Sequence, residues 1–450
     1  MATTLTPGGI GRLVHAGDDD WNAARATFNT LIDQRPEAVV LPADDREVAA
    51  AVRWARGRGL RVAPQSTGHN AGALGDLGGT VLLNVSRLRE IRIDAAARRV
   101  RVGAGTRWRD VAPQLSPLGL AALHGSSPDV GIAGYSLGGG MGWLARRHGL
   151  QCNAVTAIEL VTADGTFVRA DHDHEPDLFW ALRGGGGSFG VVTAIEFAVH
   201  EVPAFYAGAM FLPVERAGEL MHTWGGMLPG LPRELMSWVS LIRFPDMPAV
   251  PPPLRGGAFA IFIAAYTGDE ASGRDLVAPV RALGPAIDTF AIVPPAGLAE
   301  LAMDPPEPLP IETAHHLLGA PGPAMWDALA ATVRSGPAST LDLVNLRHLG
   351  GALAEASPGA GARATLPGDL SLLSVGVIPT PDRAPVVSQG LGEIQEAMLP
   401  WRVGDYPNFV ERPADARSFF DAASWERLQR VKAAWDAGDL MRGNHHVPLR

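Results

Sequence analysis

Cysteine is almost absent from this sequence: Cys152 stands alone among 450 residues. One thiol excludes an internal disulfide, a multi-cysteine zinc site and an all-cysteine iron–sulfur cluster. Lysine is as scarce, with Lys432 the single one. A Walker phosphate loop places its lysine after a glycine-rich turn, whereas Lys432 falls in a helical pattern from Trp425 to Trp435, which also disfavours a lysine Schiff base. There is no basic block and the formal net charge is -9, so no nucleic-acid partner is expected. Long apolar runs are missing too, and the opening stretch Met1–Trp21 has neither a basic end nor an apolar centre. Neither membrane spanning nor secretion is signalled, and a cytoplasmic location is the expectation.

What is present is the composition of a well-buried soluble enzyme, with 46% apolar and 19% charged residues. At this length two domains are the default. The apolar run Ala38–Leu41, the helical spacing of Val48, Ala51, Val52 and Ala55, and the run Leu60–Ala63 read as strand, helix, strand. The loop Pro64–Asn70, PQSTGHN, follows. His69 therefore sits just past a strand end, among small residues, where irregular backbone can meet a ligand. A lone loop histidine is more often a turn residue, so its weight depends on what else the chain carries. His172 and His174, in the acidic run Asp171–Glu175 before a helix start, read as part of a solvated capping loop, and no metal site is expected.

Further along, Val100–Gly105 reads as strand and turn and Trp108–Leu118 as a short helix. His124–Gly142 is a loop with seven glycines. Ala157–Val161 and Thr166–Ala170 form a hairpin about Asp164-Gly165, Pro176–Leu182 is helical, and GGGGSFG from Gly184 to Gly190 leads into a strand at Val191–Val199. From Pro203 the character changes. Strand-like runs at 236–244, 258–266, 341–349 and 370–378 alternate with helical patterns at 270–283, 324–333 and 385–398, separated by proline-rich pieces. This predicts one sheet with helices on a face. The expected division is residues 1–202, 203–402, and a tail 403–450 that resumes another pattern.

Clustered glycines let backbone amides approach an anion without a side chain between. Two such loops suit a large phosphorylated ligand. Neither carries the spaced final glycine of the dinucleotide fingerprint, so a nicotinamide Rossmann domain is poorly supported. Gly134–Gly138, GYSLG, matches the nucleophile elbow of serine hydrolases with Ser136 as nucleophile. That elbow needs a buried strand before it, and Pro128 and Gly131 argue against one. A hydrolase therefore stands as the rival reading from another class.

Taken in order, PQSTGHN, VGIAGYSLGGGMGWLARRHGL, TADG, DLFWALRGGGGSFGVVT, YPNF and RGNHHV resemble the berberine bridge enzyme-like family of the vanillyl alcohol oxidase, or PCMH-type, flavoproteins. The resemblance runs from about Pro36 to the C-terminus. It implies an α+β fold: a PCMH-type FAD-binding domain (about 33–202) of two α+β subdomains, completed by residues 403–450, with an inserted substrate domain of antiparallel sheet and helices. FAD is the implied cofactor, joined covalently to His69. The second, cysteinyl link of many members falls at Ser127, so a single histidyl link is implied, and Cys152 is left as a structural buried thiol. This chain departs from the family in having Gln65 and Thr67 where an arginine and a glycine are usual.

The resemblance further implies that Gln65, Ser66, Thr67, Gly68, His69, Asn70, Gly125, Ser126, Val130, Gly131, Gly134, Tyr135, Gly138, Gly139, Gly142, Gly190, Val192, Tyr406, Asn408 and Asn444 bind the cofactor. Tyr406 is the first candidate for a catalytic base and Tyr135 the second, while Asn408 and Asn444 would face the isoalloxazine. Val130 matches the position that gates oxygen, and a small residue there favours an oxidase, with molecular oxygen as partner, over a dehydrogenase. The expected reaction is hydride transfer from a C–H beside a hydroxyl or amine of a small organic substrate to flavin N5. An inactive metabolite binder is a third reading. Arg347, His348, Tyr266 and Glu312 are candidates to face the substrate pocket. Arg347 and His348 are neighbours on one strand, so at most one points inward, and a solvated edge is the expectation for either. Substrate identity and oligomeric state are not readable.

Overall fold

Parallel pairing in a small mixed sheet delivers the His69 loop to the centre of the molecule. The structure is a computed structural model that describes residues 9–450; residues 1–8, which belong to the expected first unit and to the opening stretch, lie outside it. The first sheet orders Arg12–Val14, Ala38–Leu41, Thr80–Asn84 and Arg61–Gln65. Ala38–Leu41 and Arg61–Gln65 both run parallel to Thr80–Asn84, and their near-continuous apolar character fits strands covered on both faces. Helix Asp45–Arg56 makes the crossover. Asp44 caps it by accepting the amide of Glu47, and Val48, Ala51, Val52 and Ala55 are its buried stripe. The chain leaves this sheet at Gln65, at the carboxyl end of a parallel strand, where open α/β sheets bind ligands.

The second sheet is antiparallel and orders Ile91–Asp94, Arg99–Gly103, Val191–Ala198, Val155–Val161 and Phe167–Asp171. Its last two strands form the hairpin expected about Asp164-Gly165. The third sheet has nine strands drawn from Phe205–Gly404 and is antiparallel throughout. Helices Ala217–Met227, Glu270–Arg281, Pro323–Thr332 and Ala384–Met398 cover one face through Trp224, Val277, Leu329 and Leu391, packed on Val239, Phe262 and Leu346. The opposite face, with Trp238, Phe211 and Ile263, packs on Leu123, Trp143 and Leu144 of the glycine-loop region. Trp143 and Trp238 stack with centroids 3.9 Å apart.

Two expectations need correction. The stretch His124–Gly142 is not all loop: Ile132–Gly138 is helical, its glycines notwithstanding, because Ile132, Ala133 and Ser136 are buried against the core. Strands Phe205–Pro213 and Ile311–Leu318 went unread. The first is buried on both faces and so lacks alternation, and the second mixes Glu312, His315 and His316 into its apolar pattern. The tail returns to the first sheet. The Val62 amide donates to Leu440 O at 2.9 Å and the Arg442 amide to Val62 O at 2.8 Å. Lys432, on helix Ala422–Trp435, is fully buried and clamps this return. Its Nζ donates to Asp436 at 2.5 Å, to Ser188 O at 3.0 Å and to Met441 O at 3.1 Å.

Candidate functional site

A cavity of about 1500 Å³ lies between the first two sheets and the inner face of the third. Pockets for a single drug-sized ligand run to about 1,000 Å³, so this one has room for an elongated cofactor and a second molecule. Its walls come from segments far apart in sequence. Residues 64–71 supply one side, 125–138 and 184–187 the next, and 406–409 with 443–445 close it.

The 66–70 loop is built around His69. Phe28 lies flat on the imidazole, ring centroids 4.1 Å apart and planes 15° apart. Thr67 Oγ1 is 2.8 Å from Nδ1. Burial, with the Arg107 guanidinium nearby, pushes the His69 pKa down to about 4, so the ring is neutral at ordinary pH. Among the described residues, Nε2 has no partner, and neither do Gln65 Oε1, Ser66 Oγ and Asn70 Oδ1, all of them buried. More than nine in ten buried polar groups in folded proteins are paired. A run of orphans along one loop facing one cavity is the mark of a polar ligand surface, and it fits the many acceptors and donors of a flavin dinucleotide.

The glycine loop and the tail interlock. A Cβ on Gly138 would lie 1.7 Å from Asn408 Oδ1, so a larger residue would displace the Asn408 side chain from this position. Asn408 Nδ2 donates to Tyr135 O at 3.0 Å, Asn444 Nδ2 to Asn70 O at 2.6 Å, and Asn70 Nδ2 to Pro407 O at 3.0 Å. The two asparagines reach the cavity wall with their amide nitrogens engaged in tying tail to loops. Gly68, Gly125, Ser126, Ser127, Val130, Gly131, Gly134, Tyr135, Gly190, Val192 and Tyr406 line the cavity as well. Gly139 and Gly142 stand behind the wall: Gly139 backs onto Arg363 and Tyr406, and a Cβ on Gly142 would collide with His124 O.

Tyr406 is fully buried, and its phenol oxygen accepts the Gly140 amide at 2.7 Å. Tyr135 donates its hydroxyl to Leu123 O at 2.9 Å. Burial raises both phenols above their ordinary range, so both rest protonated.

Several expected residues fall elsewhere. Ser136 is buried inside the helix and its hydroxyl donates to Ile132 O at 2.8 Å, which leaves no nucleophile elbow. Arg347 and His348 are not at a solvated edge: both are buried, because strand Leu343–His348 is central in the third sheet and covered on both faces. Arg347 points into the cavity. His348 points to the helical layer, where Arg146 Nη1 lies 2.8 Å from its Nε2. Tyr266 and Glu312 do not face the pocket; Glu312 accepts from Ser388 at the sheet's far side, at 2.6 Å, and Tyr266 curls over Gly268. Cys152 is buried, its thiol pushed up to about 12 by desolvation, and it does not line this cavity. His174 Nδ1 meets Asp171 at 2.9 Å in an exposed loop. Sequence reasoning missed Phe28, which no motif marks, and Asp304 in a proline-rich loop. It also missed Glu411, two residues past the tail motif, whose carboxyl burial pushes up to about 7.

The family model of the FAD binding domain matches residues 36–171. (R)-6-Hydroxynicotine oxidase of Paenarthrobacter nicotinovorans is 34% identical over 193 residues, covering 43% of this chain and 42% of that protein. Xylooligosaccharide oxidase of Thermothelomyces thermophilus is 31% identical over 225 residues, covering 48% of this chain and 45% of that protein. The match thus spans less than half the length of each of these relatives. Over the whole fold, the solved structure of the wild-type BBE-like 1 protein of Physcomitrella patens superposes with a TM-score of 0.84 at 22% identity, covering 98% of both chains.

Proposed function

We propose, for a chain that carries an FAD-binding domain and folds as the berberine bridge enzyme-like flavoproteins fold, that it is an FAD-linked oxidase of a small organic substrate. The observation that carries this reading is the row of buried, unpartnered polar atoms from Gln65 to Asn70 on the wall of one large cavity. The names of the relatives support it: one is an oxidase of (R)-6-hydroxynicotine and the other of xylooligosaccharide. Residues Gln65–Asn70, the wall from Gly125 to Gly138, Gly190, Val192, Asn408 and Asn444 would hold FAD. Bound there, FAD supplies a hydride acceptor at N5.

The chain's own residues do the rest. His69 is the covalent anchor: its ring is neutral, Phe28 and Thr67 fix its plane and one nitrogen, and Nε2 is left without a partner. Tyr406 orients the substrate's hydroxyl or amine. Because burial keeps its phenol protonated, it holds that group as a hydrogen-bond donor and does not take the substrate's proton beforehand. Val130, small and on the cavity wall, leaves oxygen a path.

The test is spectroscopic. The purified protein is expected to be yellow and to keep its flavin through acid precipitation; a colourless protein overturns the reading. Substrate-reduced protein should reoxidise in air within seconds, and Val130→Leu should slow this step. Reoxidation over minutes in the unmodified protein would instead make it a dehydrogenase.

A further inference from the structure

We propose that Arg347 anchors a carboxylate or similar oxyanion of the substrate, so that the cavity takes an acidic small molecule with an apolar body. This rests on the reading of the cavity as the redox site. Arg347 is 5% exposed, and a buried guanidinium is stable only when its charge is met. Its faces are covered by Trp238, 4.1 Å from the ring centroid, and Phe409, 5.0 Å away, which fix the plane of the group. At its edge, Nε donates to Asn345 Oδ1 at 2.6 Å and Nη2 reaches Ser126 Oγ at 3.4 Å. Among the described residues, Nη1 has no hydrogen-bond partner and no carboxylate lies within 4.0 Å of the guanidinium.

An arginine held flat between two rings, with one donor edge unused and facing a cavity, is preorganised for an oxyanion. Among the described residues, Asp304, on the loop across the cavity, is the acidic side chain that interacts with it. Burial pushes that carboxyl up against the pull of Arg347 and Ser126, and it lies beyond ion-pair distance of the guanidinium, which leaves the donor edge open to an incoming oxyanion. The inner face of the third sheet presents Ile242, Leu343, Leu373 and Val375 beside Arg347, and Phe244 and Met303 extend the apolar wall. Arg347 stands on this sheet, whereas the orphaned polar atoms of residues 65–70 stand on the first sheet's loop. The anchor thus belongs to the substrate side of the cavity.

The test compares acetate, phenylacetate and cinnamate with their uncharged amides, titrated into the holoprotein. Binding is read by the flavin absorbance and by tryptophan fluorescence, which reports on Trp238 against the guanidinium. The acids are expected to bind at least about tenfold tighter than the amides, a difference that Arg347→Gln abolishes and Arg347→Lys restores in part. Equal affinities of acid and amide in the unmodified protein, no saturable binding of any acid, or a preference that survives Arg347→Gln each overturn the proposal. The first two comparisons do not depend on a variant folding. A colourless protein refutes the flavin reading instead, and the fluorescence titration then still decides the anchor.

Discussion

Thr67 Oγ1 and His69 Nδ1 are 2.8 Å apart, and this contact determines which imidazole nitrogen remains without a partner. With Nδ1 engaged and Phe28 stacked on the ring, the imidazole is held in one orientation. His69→Ala is expected to release all flavin on acid precipitation. Thr67→Val, which keeps the volume but removes the hydroxyl, should lower the fraction that stays bound to the denatured chain. Full acid-stable flavin in His69→Ala would place the bond elsewhere.

Tyr406 is expected to matter for turnover and not for cofactor retention. Removing its hydroxyl in Tyr406→Phe should lower kcat by about 10²–10³-fold, the range for losing one positioned hydrogen-bond donor at the reacting atoms. Because burial holds the phenol above its ordinary value, the pH–rate profile should show no tyrosine titration at or below about 10. A break in the rate near neutral pH that vanishes in Tyr406→Phe would contradict this.

Stability should fall steeply in mild acid. Burial depresses His69, His148 and His200 to about 4, and His315 and His348 to about 3, from 6.5. In the unfolded chain these histidines charge as pH falls through 6.5, while in the native protein they stay neutral to about 4 or below. The unfolded state therefore binds more protons across that window, and stability drops as pH falls through it. Asp405, held down to about 2 with His316 and Arg402 as partners, loses its stabilising contribution lower still, between about 4 and 2. Calorimetric Tm at pH 7, 6, 5 and 4.5 should decline monotonically, and an unchanged Tm between pH 7 and 5 would sink the argument.

Lys432 should prove a folding residue with a functional consequence. Lys432→Met leaves Asp436 buried without its cation, which costs about 3–5 kcal/mol. The same change frees Met441 O and Ser188 O, and with them the tail that carries Asn444 and His445 into the cavity. The variant is expected to unfold at lower denaturant and to bind flavin less well at a denaturant concentration where it is still folded. Replacing Lys432 and Asp436 together by apolar residues should recover much of the stability.

The sequence by itself determined many of the local elements and part of the cavity wall. Strand Ala38–Leu41, helix Asp45–Arg56 and the hairpin about Asp164-Gly165 follow from patterns a few residues long, and they form as read. His69, Tyr135, Tyr406, Asn408 and Asn444 were marked by motifs, and the fold gathers them around one space. Tertiary structure alone decided the rest, because burial and pairing partners depend on contacts between distant segments. The helix at Ile132–Gly138 forms in a glycine-rich stretch since its apolar face finds a core. Arg347 and His348 read as a solvated edge but lie on a central strand, one facing the cavity and the other the helices. Phe28 reached His69 across forty residues of sequence without any motif to announce it, as a stacking partner is chosen by where the chain returns and not by spacing.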